Sequence, residues 1–247
     1  MERELVTLGS GLEQLRKHMN LPKDCATISD TESRSPEPIP WRRWLECEGV
    51  PTYYAERAQK ALGGPDYSRI IELRDIEQRP PFVILWSENR GNGKTHMATW
   101  LFSQWLALDW TAFHDRVEAS RRGGPRPGWQ PSALWASEYD FTLAMKNYDR
   151  RNFSAQEVMG HYARPGLLLI DDFLTEQTSD NDLSNIVELF EKRKNAGRYT
   201  IATTNVSPKE IAEEFSLRLA DRLLEGVIVH VKAESHRKEI YRQRREA

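Results

Sequence analysis

The sequence predicts an α/β fold of three layers, with a central parallel sheet between helices, preceded by a small helical N-terminal segment. Three observations carry this expectation. The runs Phe82-Val83-Ile84-Leu85-Trp86, Gly166-Leu167-Leu168-Leu169-Ile170 and Tyr199-Thr200-Ile201-Ala202-Thr203 are apolar and of strand length, as parallel strands buried on both faces require. A glycine loop and then a helical pattern follow the first run, with Met97, Leu101, Trp105 and Leu108 on one side between Thr95 and Asp109, which makes a strand, loop and helix unit. The later runs end in Asp171-Asp172 and Thr204-Asn205, and ligands of open parallel sheets bind just beyond the strand C-termini.

The chain has 247 residues, enough for one α/β domain with a modest appendage. With 39% hydrophobic and 29% charged residues it is polar for a globular protein, yet too apolar for a disordered one. A net charge of -2 supplies no whole-molecule attraction to nucleic acid or membrane, so such binding would need local patches. No apolar run approaches the roughly 20 residues that span a bilayer, and Met1-Glu2-Arg3-Glu4 lacks the layout of a signal peptide, so a cytoplasmic location is expected. Cys25 and Cys47 are too few for a disulfide framework and lack the spacing of a zinc site; both are expected to be inert thiols.

Residues 1–40 and 41–247 are expected to be separate units. Leu5, Leu8, Leu12, Leu15 and Met19 form one stripe on a helix, and Pro36, Pro38 and Pro40 mark an extended tether behind it. Such a stripe either folds back on the domain or docks on a partner, and the tether favours docking. A helical patch from Trp41 to Leu62 stops at Gly63-Gly64-Pro65 and is expected to pack on the body. Arg121 to Trp129, rich in arginine, glycine and proline, reads as a basic surface loop.

Gly91-Asn92-Gly93-Lys94-Thr95 follows the first strand and opens the helix, and this placement points to phosphate chemistry. Unpaired backbone N–H groups and the positive end of a helix dipole cradle anionic oxygens, and the glycines permit close approach. The expected nucleotide contacts are Asn89, Arg90, Gly91, Asn92, Gly93, Lys94, Thr95 and His96. Lys94 would reach the β- and γ-phosphates of ATP, while Thr95 and Asp171 would hold Mg²⁺. The full phosphate-loop pattern asks for glycine where this chain has Glu88, whose carboxylate would repel phosphates unless it points away. Hydrolysis is therefore expected to be slow.

Gly91-Asn92-Gly93-Lys94-Thr95-His96-Met97-Ala98, Leu168-Leu169-Ile170-Asp171-Asp172-Phe173 and Ile201-Ala202-Thr203-Thr204-Asn205 resemble the Walker A, Walker B and sensor 1 elements of the AAA+ superfamily. The histidine after GKT, the paired aspartates and a late Asp221-Arg222-Leu223…Ser235-His236-Arg237 segment resemble the DnaC/DnaI helicase loaders and the related IstB transposition ATPases. This resemblance implies a P-loop AAA+ ATPase in which Asp172 polarises the attacking water and Asn205 senses the γ-phosphate. It further implies that Arg218 is a finger acting on a neighbouring subunit, hence self-association, with Arg222 the alternative, and that Arg237 is the sensor 2 arginine. The implied partners are a replicative DNA helicase and single-stranded DNA, with Lys146, Tyr148, Arg150, Arg151 and Phe153 as DNA candidates. Two alternatives stay open: an IstB-type ATPase that binds duplex DNA and recruits a transposase, and a degenerate nucleotide-binding interaction module.

Overall fold

The computed structural model describes residues 41–58, 65–125, 131–147, 153–174 and 178–232. The three apolar runs form strands β1 (Phe82–Trp86), β3 (Leu167–Asp171) and β4 (Tyr199–Thr204). With β2 (Ala133–Ser137) and β5 (Val227–His230), they make a five-stranded, all-parallel sheet of order β2-β3-β4-β1-β5. In this order β1 lies inside the sheet, and its last residue, Trp86, is level with Thr204 of β4 and His230 of β5.

Successive strand residues face opposite ways, so the sheet feeds two cores. Val83, Leu85, Leu167, Leu169 and Ile201 face a layer made of α1 (Trp41–Cys47), α2 (Thr52–Ala55), α3 (Pro65–Arg74) and α4 (Lys94–Arg121). Phe82, Ile84, Leu168, Ile170 and Ala202 face α5 (Glu138–Lys146), α6 (Ala155–Ala163) and α7 (Asp180–Asn195). The same layer holds α8 (Pro208–Glu210) with its π-helical continuation Ile211–Phe215, and α9 (Leu217–Leu224). The expected three layers are therefore present.

Local sequence sets many of the helix starts. Ser137, Ser154, Ser179 and Ser207 each begin a capping box with an acidic residue three positions on, satisfying donors that a helix start leaves unpaired. The patch expected as one helix from Trp41 is two short helices, α1 and α2, because left-handed Gly49 ends the first, with Gly49 and Val50 N–H donating back to Glu46 O and Leu45 O. It packs on the body as expected, with Leu45, Val50, Ala55 and Ala58 in the first core. Its intervening loop also covers the β2 edge: Trp135 N–H donates to Glu48 O (2.7 Å), and Gly49 (φ 88) passes so near Trp135 O that a Cβ would lie 2.5 Å away.

α4 runs for 28 residues, well beyond the expected stop near Asp109, and Arg121 closes the helix instead of opening a loop. Only its first half, through Leu106, is in the core; the second half is largely solvated. Cys47, expected as an inert thiol, is disulfide-bonded. The other cysteine, Cys25, lies outside the described residues, as do the leucine stripe and the tether. At the N-terminal end of the sheet, the wholly buried Arg193 donates to Thr200 Oγ1 and to the carbonyls of Tyr162, Ala163, Pro165 and Tyr199. Among the described residues no helix is long and apolar enough to cross a membrane.

Candidate nucleotide site

The ladder of β1 continues one step past the strand, where Ser87 N–H donates to Thr204 O at 3.3 Å. The chain then turns through Gly91 (φ 78) and Gly93 (φ 93), both in the left-handed region where a side chain would be strained. Gly93 is the N-cap of α4 and brings no side-chain acceptor, so the positive end of a long helix is left facing the loop. Asn92, 1% exposed, fastens the loop to the chain after β5 by donating to Val231 O at 3.1 Å.

Lys94 occupies the middle of this loop. It is 5% exposed, and its Nζ donates to Asn89 O (2.9 Å), Ser87 O (3.3 Å) and Asn92 Oδ1 (3.3 Å). Burial pushes the amine below its ordinary value; Asp172 and Asp171 pull it back up, and Arg90 pushes it further down. A buried ammonium held only by neutral oxygens fits a site for a polyanion, since phosphate oxygens would supply the missing negative charge.

Glu88 does not spoil this arrangement. Its backbone is not in the left-handed region, so the conformation here does not require the glycine of the full pattern. Its carboxylate turns toward β5, 3.9 Å from His230 Nε2, and the His230 ring stacks on Trp86 at 4.0 Å.

Asp171, the last residue of β3, is buried and accepts a hydrogen bond from Thr203 Oγ1 at 2.6 Å. Burial raises its carboxyl above the ordinary carboxylate range; Thr203 and then Thr95 oppose this rise. Thr95 is therefore beside Asp171, as the metal assignment requires. Among the described residues no cluster of three or more His, Cys, Asp or Glu could form a metal cage. Mg²⁺ takes one or two protein ligands and completes its shell with phosphate oxygens and water, a donor set that the Thr95 hydroxyl and Asp171 carboxylate fit.

The loop after β3 is anchored by three successive amides. Asp172 N–H donates to Thr203 Oγ1 (3.0 Å), Phe173 N–H to Thr203 O (2.8 Å), and Leu174 N–H to the Glu138 carboxylate. Asp172 (φ 51) and Leu174 (φ 57) are both left-handed, a conformation aspartate tolerates and leucine seldom adopts. Glu138, 5% exposed at the start of α5, also accepts from Thr178 Oγ1 at 2.8 Å, and burial pushes its carboxyl upward. Asp172 is thereby presented to solvent on a fixed backbone.

The structure thus brings together the loop 87–93, Lys94, Thr95, Asp171 and Asp172, with Asn205 just beyond the end of β4 and His96 on the first turn of α4. Arg218 is engaged elsewhere, with Glu191 of α7, and Arg237 lies outside the described residues. Thr203, Ser87 and Glu138 join the site without having been singled out. Thr203 stood in the quoted Thr-Thr-Asn run, whereas Glu138 could be found only by recognising β2. Of the DNA candidates, Lys146 is tied to buried Asp182 (2.7 Å) and Phe153 packs on the second core. Tyr148, Arg150 and Arg151 lie outside the described residues.

A phosphate loop after the inner strand of a β2-β3-β4-β1-β5 sheet defines a P-loop fold of the AAA+ type. Within that class the fold is like that of DnaC and DnaI. The chain is similar to the DnaC helicase loader (16% identity over 73% of this chain and 99% of that one, TM-score 0.52). It is also similar to DnaI (12%, covering 75% and 93%, TM-score 0.53). A replication initiator, DnaA bound to AMPPCP and single-stranded DNA, matches at 20% identity over 77% of this chain, with a TM-score of 0.51. The chain spans about half, 54%, of that initiator's length. No protein-family model and no curated protein matches the sequence.

Proposed function

We propose that this protein is an ATP-dependent loader of a replicative DNA helicase, which also engages single-stranded DNA and works as a self-associated AAA+ ATPase. The observation that carries the nucleotide reading is the buried Lys94 at the centre of a left-handed glycine loop, beside Thr95 and Asp171. In this reading the loop from Asn89 to Gly93, Lys94 and His96 hold ATP, while Thr95 and Asp171 hold Mg²⁺, which neutralises phosphate charge. Asp172 polarises the attacking water, Asn205 senses the γ-phosphate, and Arg237 serves as the sensor 2 arginine. Arg218 acts on the nucleotide of a neighbour.

Similarity to the DnaC helicase loader over nearly all of that chain supports the loader reading. So does the leucine stripe of residues 5–19 behind a proline tether, which suits a partner-gripping segment. The match to a DnaA structure with AMPPCP and single-stranded DNA supports both ligands. Lys94→Ala should weaken ATP binding at least tenfold in a fluorescent-nucleotide titration; unchanged affinity would remove Lys94 from the site. The full chain should capture the replicative helicase of its host, and the chain lacking residues 1–40 should not. Equal capture by both would end the assignment of that segment.

A further inference from the structure

α9 carries two features that its own fold does not use. Leu219, Ala220 and Leu223 bury one face, and Leu217 and Leu224, 71% and 65% exposed, extend it at its edge, opposite the arginines. Arg218, on the exposed side and in the first turn, sits where the positive end of the helix dipole disfavours a cation. Glu191 of α7 compensates. Arg218 Nε donates to its Oε1 at 2.9 Å, and Arg218 Nη2 reaches Oε1 at 2.7 Å and Oε2 at 2.8 Å. Arg222, one turn on, places Nε 3.5 Å from the same Oε1 and is bonded to Glu225, which in turn pairs with Lys194.

We propose that Glu191 is a latch that holds the arginines of α9 within their own subunit until a second copy of the chain presents bound nucleotide to them. This rests on the reading that Arg218 acts in trans. A carboxylate and a terminal phosphate compete for the same planar guanidinium, because both present two oxygens at matching spacing. Glu191 is the more confined partner in the free subunit: its side chain is 24% exposed against 66% for Arg218, which leaves the arginine the one with room to move. Its carboxyl is held below the usual range chiefly by Arg218, so it is ionised at neutral pH. Docking of a second copy transfers the arginine from carboxylate to phosphate, and Glu191 keeps Arg222 in place by the remaining contact. The latch sets how much protein is needed before turnover begins, and it leaves nucleotide affinity alone.

The test uses the full chain and follows ATP turnover against protein concentration. Glu191→Gln keeps the shape and removes the charge. It should lower the protein concentration for half-maximal turnover by about two- to fivefold, the weight of a well-formed exposed ion pair. Nucleotide affinity and thermal midpoint should stay near those of the parent. Glu191→Gln/Arg218→Ala should turn over no faster than Arg218→Ala at any protein concentration, and a rate above it would overturn the latch. An unshifted concentration dependence in Glu191→Gln, with turnover lost in Arg218→Ala, overturns the latch and leaves the finger standing. Undiminished turnover in both Arg218→Ala and Arg222→Ala overturns the finger, and the latch with it.

Discussion

Thr203 uses one hydroxyl twice, donating to Asp171 Oδ1 and accepting from Asp172 N–H, so a single side chain fixes the Asp171 carboxylate and the Asp172 backbone. The cost falls on Asp171, whose burial raises its carboxyl above its ordinary value of 3.8. A group that binds its proton more tightly when folded favours the folded state below 3.8, and that benefit is lost as pH rises through the raised value. At neutral pH the ionised side chain therefore opposes folding in the nucleotide-free protein. Asp171→Asn should melt higher than the parent at neutral pH, by about 2–4 °C for each kcal/mol regained, and the two should converge in acid. Calorimetry across pH would show this. The same variant should lose Mg²⁺-dependent nucleotide affinity, so that stability and binding move in opposite directions.

Among the elements, β1, β3 and β4 could be read from sequence because each is a strand-length, largely apolar or threonine-rich run buried on both faces. β2 and β5 could not. β5 has four residues at the sheet edge, and what makes it a strand is its register with Val83 to Trp86, a contact made across the chain. The second half of α4 keeps only a thin stripe, Trp110, Phe113 and Val117, half-buried among exposed and mostly polar residues, so its helical signal is weak. At the site the same division holds. Lys94 and Thr95 are adjacent to the glycines that announce them, whereas Glu138 meets Leu174 across 36 residues. Arg193 is another such long-range device: one guanidinium ties the end of α6 to the start of β4. Burial pulls it down to about 9, and it keeps its charge at neutral pH. Arg193→Met should strand several buried carbonyls and cost about 3 kcal/mol or more, read as a lower urea midpoint.

At the scale of the whole molecule, the groups proposed for one reaction are divided between two faces. The phosphate loop opens at the strand C-termini, while Arg218 sits on α9 in contact with α7. If the site is completed by a neighbour, mixing two inactive variants should restore turnover. Lys94→Ala lacks a nucleotide site but keeps its arginine, and Arg218→Ala the reverse. An equimolar mixture should recover about a quarter of the parent rate, the share of interfaces expected to be intact on random mixing, against a few per cent for either alone. α4 adds a mechanical consequence. It begins at the phosphate loop and extends about 42 Å at ~1.5 Å per residue, with its far half outside the core. With nucleotide bound as proposed, such a helix would act as a lever rooted at the phosphates. A tilt of about 5° at its root would sweep the last turn through about 4 Å, so a small change at the nucleotide would be magnified at the far tip.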